Sequence, residues 1–221
     1  NIGLPGQGIG FSWHYGGGGT AQSGGTAPRG MSQGRNTVKK ICPASRISEM
    51  LLNPGKNFTY NGSTYSFPKV KLIYNAGNNF FSHQQDLNEL ARAMEAVDTV
   101  IVQDCWWNGS ARWADIVLPA TTTMERNDIS SGGTYNIDKV FAMRQVVAPV
   151  GDALDDFEIF RRLSAACGVE YAFTEGKTQM DYVKDAYAAS SAVGNMKFEE
   201  FWEKGMAPIK VPKEARKWVR H

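Results

Sequence analysis

Amide and carboxylate side chains follow two apolar runs in the middle of the chain, where they could bind a polar ligand. The first run ends at Val102 and is followed directly by Gln103 and Asp104. The second run follows Asp115, and hydroxyl and charged side chains then continue as far as Asp128. A buried strand needs only apolar residues and a turn. The additional polarity therefore predicts the wall of a binding site.

Several side chains of this region have both a binding and a structural interpretation. Arg126 can hold a phosphate or carboxylate through its planar guanidinium group, or it can close a surface loop as an ion pair. Asp115 can accept hydrogen bonds from the guanidine-like edge of a ring, or it can cap a turn. Trp106 can stack on a ring or fill a seam between sheet and helix. Asp156 lies at a predicted helix start, where a carboxylate also complements the helix dipole.

A strand–helix–strand unit is predicted to position these groups. Residues 70–74 and 99–102 are β-type apolar runs, and between them the helical spacing after Asp86 predicts a helix that this residue caps. A crossover of this size makes the strands parallel and requires both faces of the sheet to be covered. We therefore predict an α/β fold, a three-layer αβα arrangement with a mainly parallel sheet. Ligands collect beyond the carboxyl ends of such strands. The loop after the first strand adds polar candidates there: Asn78, Asn79 and His83.

The amino-terminal 40 residues are predicted to be a separate glycine-rich segment, followed by one α/β domain over residues 41–221. Of the 23 glycines, 12 fall within the first 34 residues. Gly8 would permit close backbone approach to a ligand, with Ser12 and His14 as hydrogen-bonding groups. A flexible segment is the alternative. A dinucleotide fingerprint is excluded because no strand precedes the glycines and no helix follows them.

Composition excludes several classes of function. The net charge of +2, without a basic run interleaved with aromatics, argues against nucleic acid as a partner. Three widely spaced cysteines and three histidines predict neither a zinc site nor a disulfide framework. No apolar stretch is long enough for membrane insertion. No nucleophile–base pair is evident. Because the chain starts at Asn1 and stops at His221 without a polar tail, we expect it to be part of a longer protein.

Specific segments spread in order over nearly the whole chain carry a resemblance to a known family. They are LPGQGIGFSWHY, SRISEMLLNPG, IYNAGNNFFSHQQDLNEL, DTVIVQDCWW, ARWADIVLPATTTMERNDI and AMRQVV followed by DDFEIF. They resemble the molybdopterin oxidoreductases of the dimethyl sulfoxide reductase type, and trimethylamine N-oxide reductases in particular. One departure is Asn78-Asn79-Phe80, where relatives commonly carry Gly-Asn-Pro.

The resemblance implies a four-domain enzyme around molybdenum held by two molybdopterin guanine dinucleotides, with this chain as its central, dinucleotide-fold-like domain. It implies cofactor contacts at matched positions: Asn79, Gln103, Asp104, Asp115, Arg126 and Asp156. The segment containing Gly8, Ser12 and His14 resembles one that lines the cofactor near the substrate funnel. The reaction implied is oxygen-atom transfer from an amine N-oxide, which releases the amine.

Further expectations follow from the same resemblance. The partners are the remaining domains, a small N-oxide or S-oxide substrate and an electron-donor cytochrome, and the location is the periplasm. The metal-binding serine of the subfamily lies in an earlier domain, so we expect no catalytic residue and no molybdenum in this chain alone. Dimethyl sulfoxide or biotin sulfoxide reduction is the alternative within the family. A non-catalytic nucleotide-binding module is the alternative outside it.

Overall fold

The chain divides into two compact units, which we call the parallel unit and the antiparallel unit. The strand–helix–strand arrangement predicted from the sequence is present in the parallel unit. The computed structural model describes residues 26–32, 34–38, 41–132 and 138–209. The parallel unit holds the described residues within 33–122 and 149–163. The antiparallel unit holds those within 1–32, 123–148 and 164–221.

Helices on both faces enclose a three-stranded sheet in the parallel unit. Its strands β3 (Leu72–Ala76), β4 (Thr99–Asp104) and β5 (Ile116–Pro119) lie in that order and are all parallel. Leu154 extends this sheet through a parallel bridge to Ala120.

One face of the sheet carries the hydrophobic core of the parallel unit. The helices there are α1 (Ile47–Leu52) and α2 (Leu87–Glu95), with a short α3 (Gly109–Arg112) after β4. Val100 and Val102 pack with Leu90 and Met94 of α2 in this core. Asp86 caps α2 by accepting from the backbone N–H of Glu89 at 2.9 Å, as predicted.

The opposite face of the sheet meets α4 (Asp156–Ala166), which belongs to the parallel unit through Leu163. The rings of Tyr74 and Phe160 lie 5.7 Å apart there. The α/β class with a parallel sheet is thus confirmed.

A hairpin of β1 (Asn57–Tyr60) and β2 (Ser63–Ser66) joins α1 to β3 around a turn at Asn61 and Gly62. Its position and turn agree with the alternation of aromatic and polar residues in the sequence. The hairpin is packed into the unit, because Phe58 is buried and its ring stacks on that of Phe67 at 4.3 Å.

The antiparallel unit contains a sheet that the sequence pattern did not indicate. Its strands are β6 (Asp128–Ser131), β7 (Lys139–Met143) and β8 (Met206–Pro208). Its helices are α5 (Glu170–Thr174), α6 (Gln179–Ala188) and α7 (Phe198–Lys204). The rings of Tyr187 and Phe201 stack at 4.3 Å in its core. The predicted division at residue 40 stays a prediction, since residues 39 and 40 are not described.

Candidate functional site

The carboxyl ends of the parallel strands form one continuous hydrogen-bonded edge. We use the name carboxyl edge for residues 77–79, 103–108, 120–122 and 154–156. Gly77 donates its N–H to the carbonyl of Gln103 at 2.8 Å, with a positive φ of 67° that favours glycine. Ala120 donates to the Asp104 carbonyl at 3.1 Å. Thr121 donates to the Leu154 carbonyl at 3.0 Å, so the start of α4 is tied to this same edge.

A chain of three polar side chains crosses the sheet behind the carboxyl edge. Gln103 of β4 is fully buried. The Tyr74 hydroxyl donates to Oε1 of Gln103. Nε2 of Gln103 donates to Oδ1 of Asp156 at 2.6 Å. This chain, Tyr74–Gln103–Asp156, connects β3, β4 and the first residue of α4.

Asp104 shapes the turn that follows β4. Its Oδ1 accepts from the backbone N–H of Trp106 at 3.0 Å, and its Oδ2 accepts from the amide of Asn108 at 2.7 Å. Asn108 in turn caps α3 by accepting from the Ala111 N–H at 3.1 Å. The turn presents Trp106 and Trp107 outward, with 69% and 65% of their surfaces exposed in the described structure. They do not fill a seam in the parallel unit, which leaves stacking on a ligand or on other protein as their predicted role.

The loop after β3 is held by its own amides. The Asn75 amide donates to the carbonyl of Asn78, whose side chain is exposed. Oδ1 of Asn79 accepts from both the N–H and the hydroxyl of buried Ser110, at 3.1 and 3.0 Å. Phe80 is buried in the core. The structure thus gives Asn79 a role in holding the loop.

The remaining predicted site residues lie in other elements of the chain or outside the described residues. His83 is exposed at the end of a 3₁₀ turn. Asp115 precedes β5, and its Oδ2 accepts from the N–H of Val100 at 2.7 Å, near the amino ends of the strands. That position is about 13 Å along β4 from the carboxyl edge. Arg126 belongs to the antiparallel unit, where its Nε lies 3.4 Å from Oδ2 of Asp128. Gly8, Ser12 and His14 lie outside the described residues.

The carboxyl edge is acidic. Partial burial, together with the nearby carboxylates of Asp104 and Asp156, raises the pKa of the Cys105 thiol. Burial and the charge of Asp156 likewise raise the pKa of the Tyr74 hydroxyl. Carboxylates in this position suit ring N–H donors and sugar hydroxyls, whereas they repel phosphate.

Sequence reasoning missed three residues that organise the site. Tyr74, Asn108 and Ser110 each make a hydrogen bond on which a predicted site residue depends. Nothing in the strand pattern distinguishes Tyr74 from an ordinary strand aromatic. Asn108 did carry a signal, because Asn-Gly after a strand favours a turn or a helix cap.

The fold and the edge define an α/β protein whose polar groups gather at the carboxyl ends of parallel strands, as in nucleotide-binding folds. Among the described residues, no cluster of three or more His, Cys, Asp or Glu side chains is placed to hold a metal ion. None of the described helices has the length and apolarity to cross a membrane.

Comparison with known proteins identifies the family. The family model for molybdopterin oxidoreductases matches residues 2–166, and the chain belongs to that family. It is 42% identical to a dimethyl sulfoxide/trimethylamine N-oxide reductase of Cereibacter sphaeroides and 40% identical to a trimethylamine-N-oxide reductase of Haemophilus influenzae. Each match covers 100% of this chain and 29% of the relative. The chain therefore spans less than a third of the length of these relatives.

Two further comparisons bear on function and fold. A biotin sulfoxide reductase of Cereibacter sphaeroides is 40% identical over 96% of this chain and 29% of its own length. The solved structure of acetylene hydratase from Pelobacter acetylenicus matches 66% of this chain and 19% of its own, with a TM-score of 0.53. Because that identity is only 22%, the likeness concerns the fold alone.

The family implies a molybdenum–molybdopterin cofactor, and the described residues fit one part of it. The carboxylates of Asp104 and Asp156 match the N–H donors on a pterin or purine ring. The exposed rings of Trp106 and Trp107 offer stacking surfaces. The fit found among the described residues is to the heterocyclic part of the cofactor.

Proposed function

We propose that the chain supplies part of a bis(molybdopterin guanine dinucleotide) site in an oxygen-atom-transfer reductase acting on amine N-oxides. The observation that carries this proposal is the presence of two carboxylates, Asp104 and Asp156, at the carboxyl edge of a parallel sheet. When bound, the molybdenum cofactor supplies two-electron oxygen-atom transfer, and the chain's own groups bind and orient it.

Guanine recognition follows from the chemistry of the carboxyl edge. Guanine presents adjacent N1–H and N2–H₂ donors, which an ionised carboxylate can accept together, whereas adenine presents an acceptor at N1. Asp156 is held at the start of α4 by Gln103 and is the group that we propose to accept from guanine. Asp104 lies on the same edge and suits a ribose hydroxyl. Trp106 then stacks on a planar ring.

The phosphates need a positively charged partner, which the acidic carboxyl edge does not provide. Arg126 is our proposed phosphate-binding group, because a guanidinium binds two phosphate oxygens in its plane. The glycine-rich segment with Gly8, Ser12 and His14 is proposed to line the cofactor by close backbone approach. Asn78 and His83 are exposed in the loop beside the carboxyl edge and remain proposed contacts. Asp115 is the weakest of the proposed contacts, because its carboxylate accepts from the N–H of Val100 near the amino ends of the strands, away from the carboxyl edge.

Substrate preference is proposed from the relatives. Two similar proteins are named for trimethylamine N-oxide reduction, and a third is named for biotin sulfoxide reduction. We propose the amine N-oxide as the substrate and the sulfoxides as the alternative. The enzyme would draw electrons from a cytochrome in the periplasm, and its remaining domains would hold the metal ligand. Rates of the full-length enzyme on trimethylamine N-oxide, dimethyl sulfoxide and biotin sulfoxide distinguish these substrates.

Nucleotide titration of the 221-residue chain tests the proposed cofactor part. Calorimetry should show that GDP binds more tightly than ADP, and Asp156→Asn should weaken GDP binding about tenfold, since a carboxylate–guanine pair contributes about 1–3 kcal/mol. Asp152→Asn, a neighbouring exposed carboxylate, is the matched control and should bind as the wild type does. Preference for ADP would contradict the molybdopterin guanine dinucleotide assignment and would favour a nucleotide-binding module of another kind.

A further inference from the structure

Two side chains, Tyr74 and Gln103, lead by hydrogen bonds to the Asp156 carboxylate, and Tyr74 has no part in the proposed ligand contacts. The Gln103 amide sits between the Tyr74 hydroxyl and Oδ1 of Asp156 and is fully buried. We propose that Tyr74 is a positioning residue that fixes the Gln103 amide and, through it, the carboxylate that selects guanine. This inference rests on the proposed function and concerns a residue that supports the ligand contacts without touching the ligand itself.

The direction of the hydrogen bonds along this chain is dictated by Asp156. An ionised carboxylate can only accept, so the NH₂ end of the Gln103 amide must face it. The carbonyl end of the same amide then faces β3, where it needs a donor. Only the hydroxyl of Tyr74 meets it in the described structure, so that hydroxyl must donate. The sequence of donors is therefore Tyr74 to Gln103 to Asp156, with one orientation allowed for the amide.

Tyr74 is held in place independently of the amide. It lies on β3 in register with Ile101 of β4, and its ring contacts Phe160 of α4 at 5.7 Å. The hydroxyl is thus presented from a paired strand and a packed ring, not from a loop. Glutamine has three rotatable side-chain bonds, and it needs both of its ends fixed to hold one position.

Removing the Tyr74 hydroxyl should therefore weaken ligand binding, although the hydroxyl does not touch the ligand. In Tyr74→Phe the ring and its contact with Phe160 remain, but the buried carbonyl oxygen of Gln103 loses its donor. A buried acceptor without a donor is strongly unfavourable, so the amide is expected to rotate toward another group and to release Asp156. The carboxylate then no longer sits in one place for guanine.

The first test compares GDP affinity in matched tyrosine variants of the 221-residue chain. Tyr74→Phe should raise the dissociation constant for GDP about tenfold, which is the effect of one buried hydrogen bond. Tyr182→Phe is the control, because it removes a hydroxyl that donates to the Thr174 carbonyl at 2.9 Å in the antiparallel unit. It should leave the dissociation constant within twofold of the wild type.

The second test uses pH as a readout that a purely structural role would not change. Gln103→Glu places a second carboxylate against Asp156, and two carboxylates at this distance share one proton. Other titratable groups around the pair are Tyr74, Asp104 and Cys105, with Asp155 immediately before α4, where it accepts from the N–H of Glu158. At pH 5 the shared proton restores a donor to Asp156, so GDP affinity should approach that of the wild type. By pH 8 repulsion should displace Asp156, and affinity should fall relative to the wild type at the same pH.

The outcomes separate this inference from the function on which it rests. A wild-type chain that does not bind GDP overturns both. The positioning role alone is overturned by a different result. In that result the wild-type chain binds GDP, the dissociation constant of Tyr74→Phe is within twofold of the wild-type value, and GDP binding by Gln103→Glu has no additional pH dependence. Thermal unfolding of each variant, measured beside the titrations, confirms that the compared chains are folded.

Discussion

At the scale of single residues, the side chain of Asn79 holds the loop after β3 in place. Asn79 has the type and location of a ligand contact, yet its Oδ1 accepts two hydrogen bonds from Ser110, which is fully buried. Its Nδ2 donates to Ser82 at 3.0 Å. Asn79 therefore connects the loop after β3 to the start of α3.

Asn79→Ala should lower the free energy of unfolding by about 1–3 kcal/mol, because the buried N–H and hydroxyl of Ser110 lose their acceptor. Asn79→Asp keeps an acceptor oxygen and should lower the free energy of unfolding by less than Asn79→Ala does. Asn88→Ala, on the exposed surface of α2, is the control and should change it by under about 0.5 kcal/mol. Urea unfolding measures all three. Equal losses in Asn79→Ala and Asn79→Asp would contradict the acceptor role.

The position of a residue at a strand end could be predicted from the sequence where a local pattern marks the strand. Gln103 and Asp104 follow an apolar run directly, and that alone predicts their place at a strand end. Asp115 shows the limit of such reasoning. Its partner Val100 lies 15 positions away and is reached only through the pairing register of β4 and β5, which no local pattern encodes.

At the scale of elements, one ion-pair group connects α1 to the hairpin that follows it. Glu49 of α1 accepts from Nε of Arg46 at 2.7 Å and from Nζ of Lys56 at 3.1 Å. The Arg46 guanidinium also lies 4.8 Å from the ring centroid of Phe58 in β1. These contacts, from Arg46 first and Lys56 second, lower the pKa of Glu49 to about 2.

The depressed pKa of Glu49 predicts how stability depends on pH. Its contribution is present above the ordinary pKa of 4.5 and is lost as pH falls from there through about 2. Glu49→Gln should therefore lower the melting temperature at pH 7 by about 2–3 °C at most, since a partly exposed pair contributes under about 1 kcal/mol. The difference from wild type should shrink between pH 5 and pH 3.

Glu95→Gln, on the exposed end of α2, is the control for that series and should follow the wild type throughout. Calorimetric melting at several pH values measures the effect. A difference between Glu49→Gln and wild type that grows toward low pH would contradict the ion-pair account.

Elements with strong periodicity were predictable, and short polar ones were not. The helical spacing after Asp86 predicted α2, and the helix start predicted at Asp156 is the observed start of α4. Strand β6 reads Asp-Ile-Ser-Ser and β8 reads Met-Ala-Pro, so neither has the alternation or apolar run that marks a strand. They form a sheet only because β7 pairs with both of them.

At the scale of the whole molecule, the chain combines two units of different construction within one family match. The parallel unit carries the carboxyl edge, and the antiparallel unit carries Arg126. The match to the family model covers residues from both units. Fold likeness by itself does not indicate the reaction, because the same architecture serves many activities. The proposed reaction is supported instead by the carboxyl edge and by the activities for which the similar proteins are named.

The location of guanine on the carboxyl edge is the central claim, and amide chemical-shift mapping tests it most directly. The ¹⁵N–¹H spectrum of the deuterated 221-residue chain would be recorded during titration with GDP and, separately, with ADP. We predict that GDP moves the signals of residues 77–79, 103–108 and 154–156, with ADP moving them less at equal concentration. Shifts confined to the polar groove between the start of α1 and the start of α2, lined by Ser45, Ser48 and Gln85, would contradict the claim.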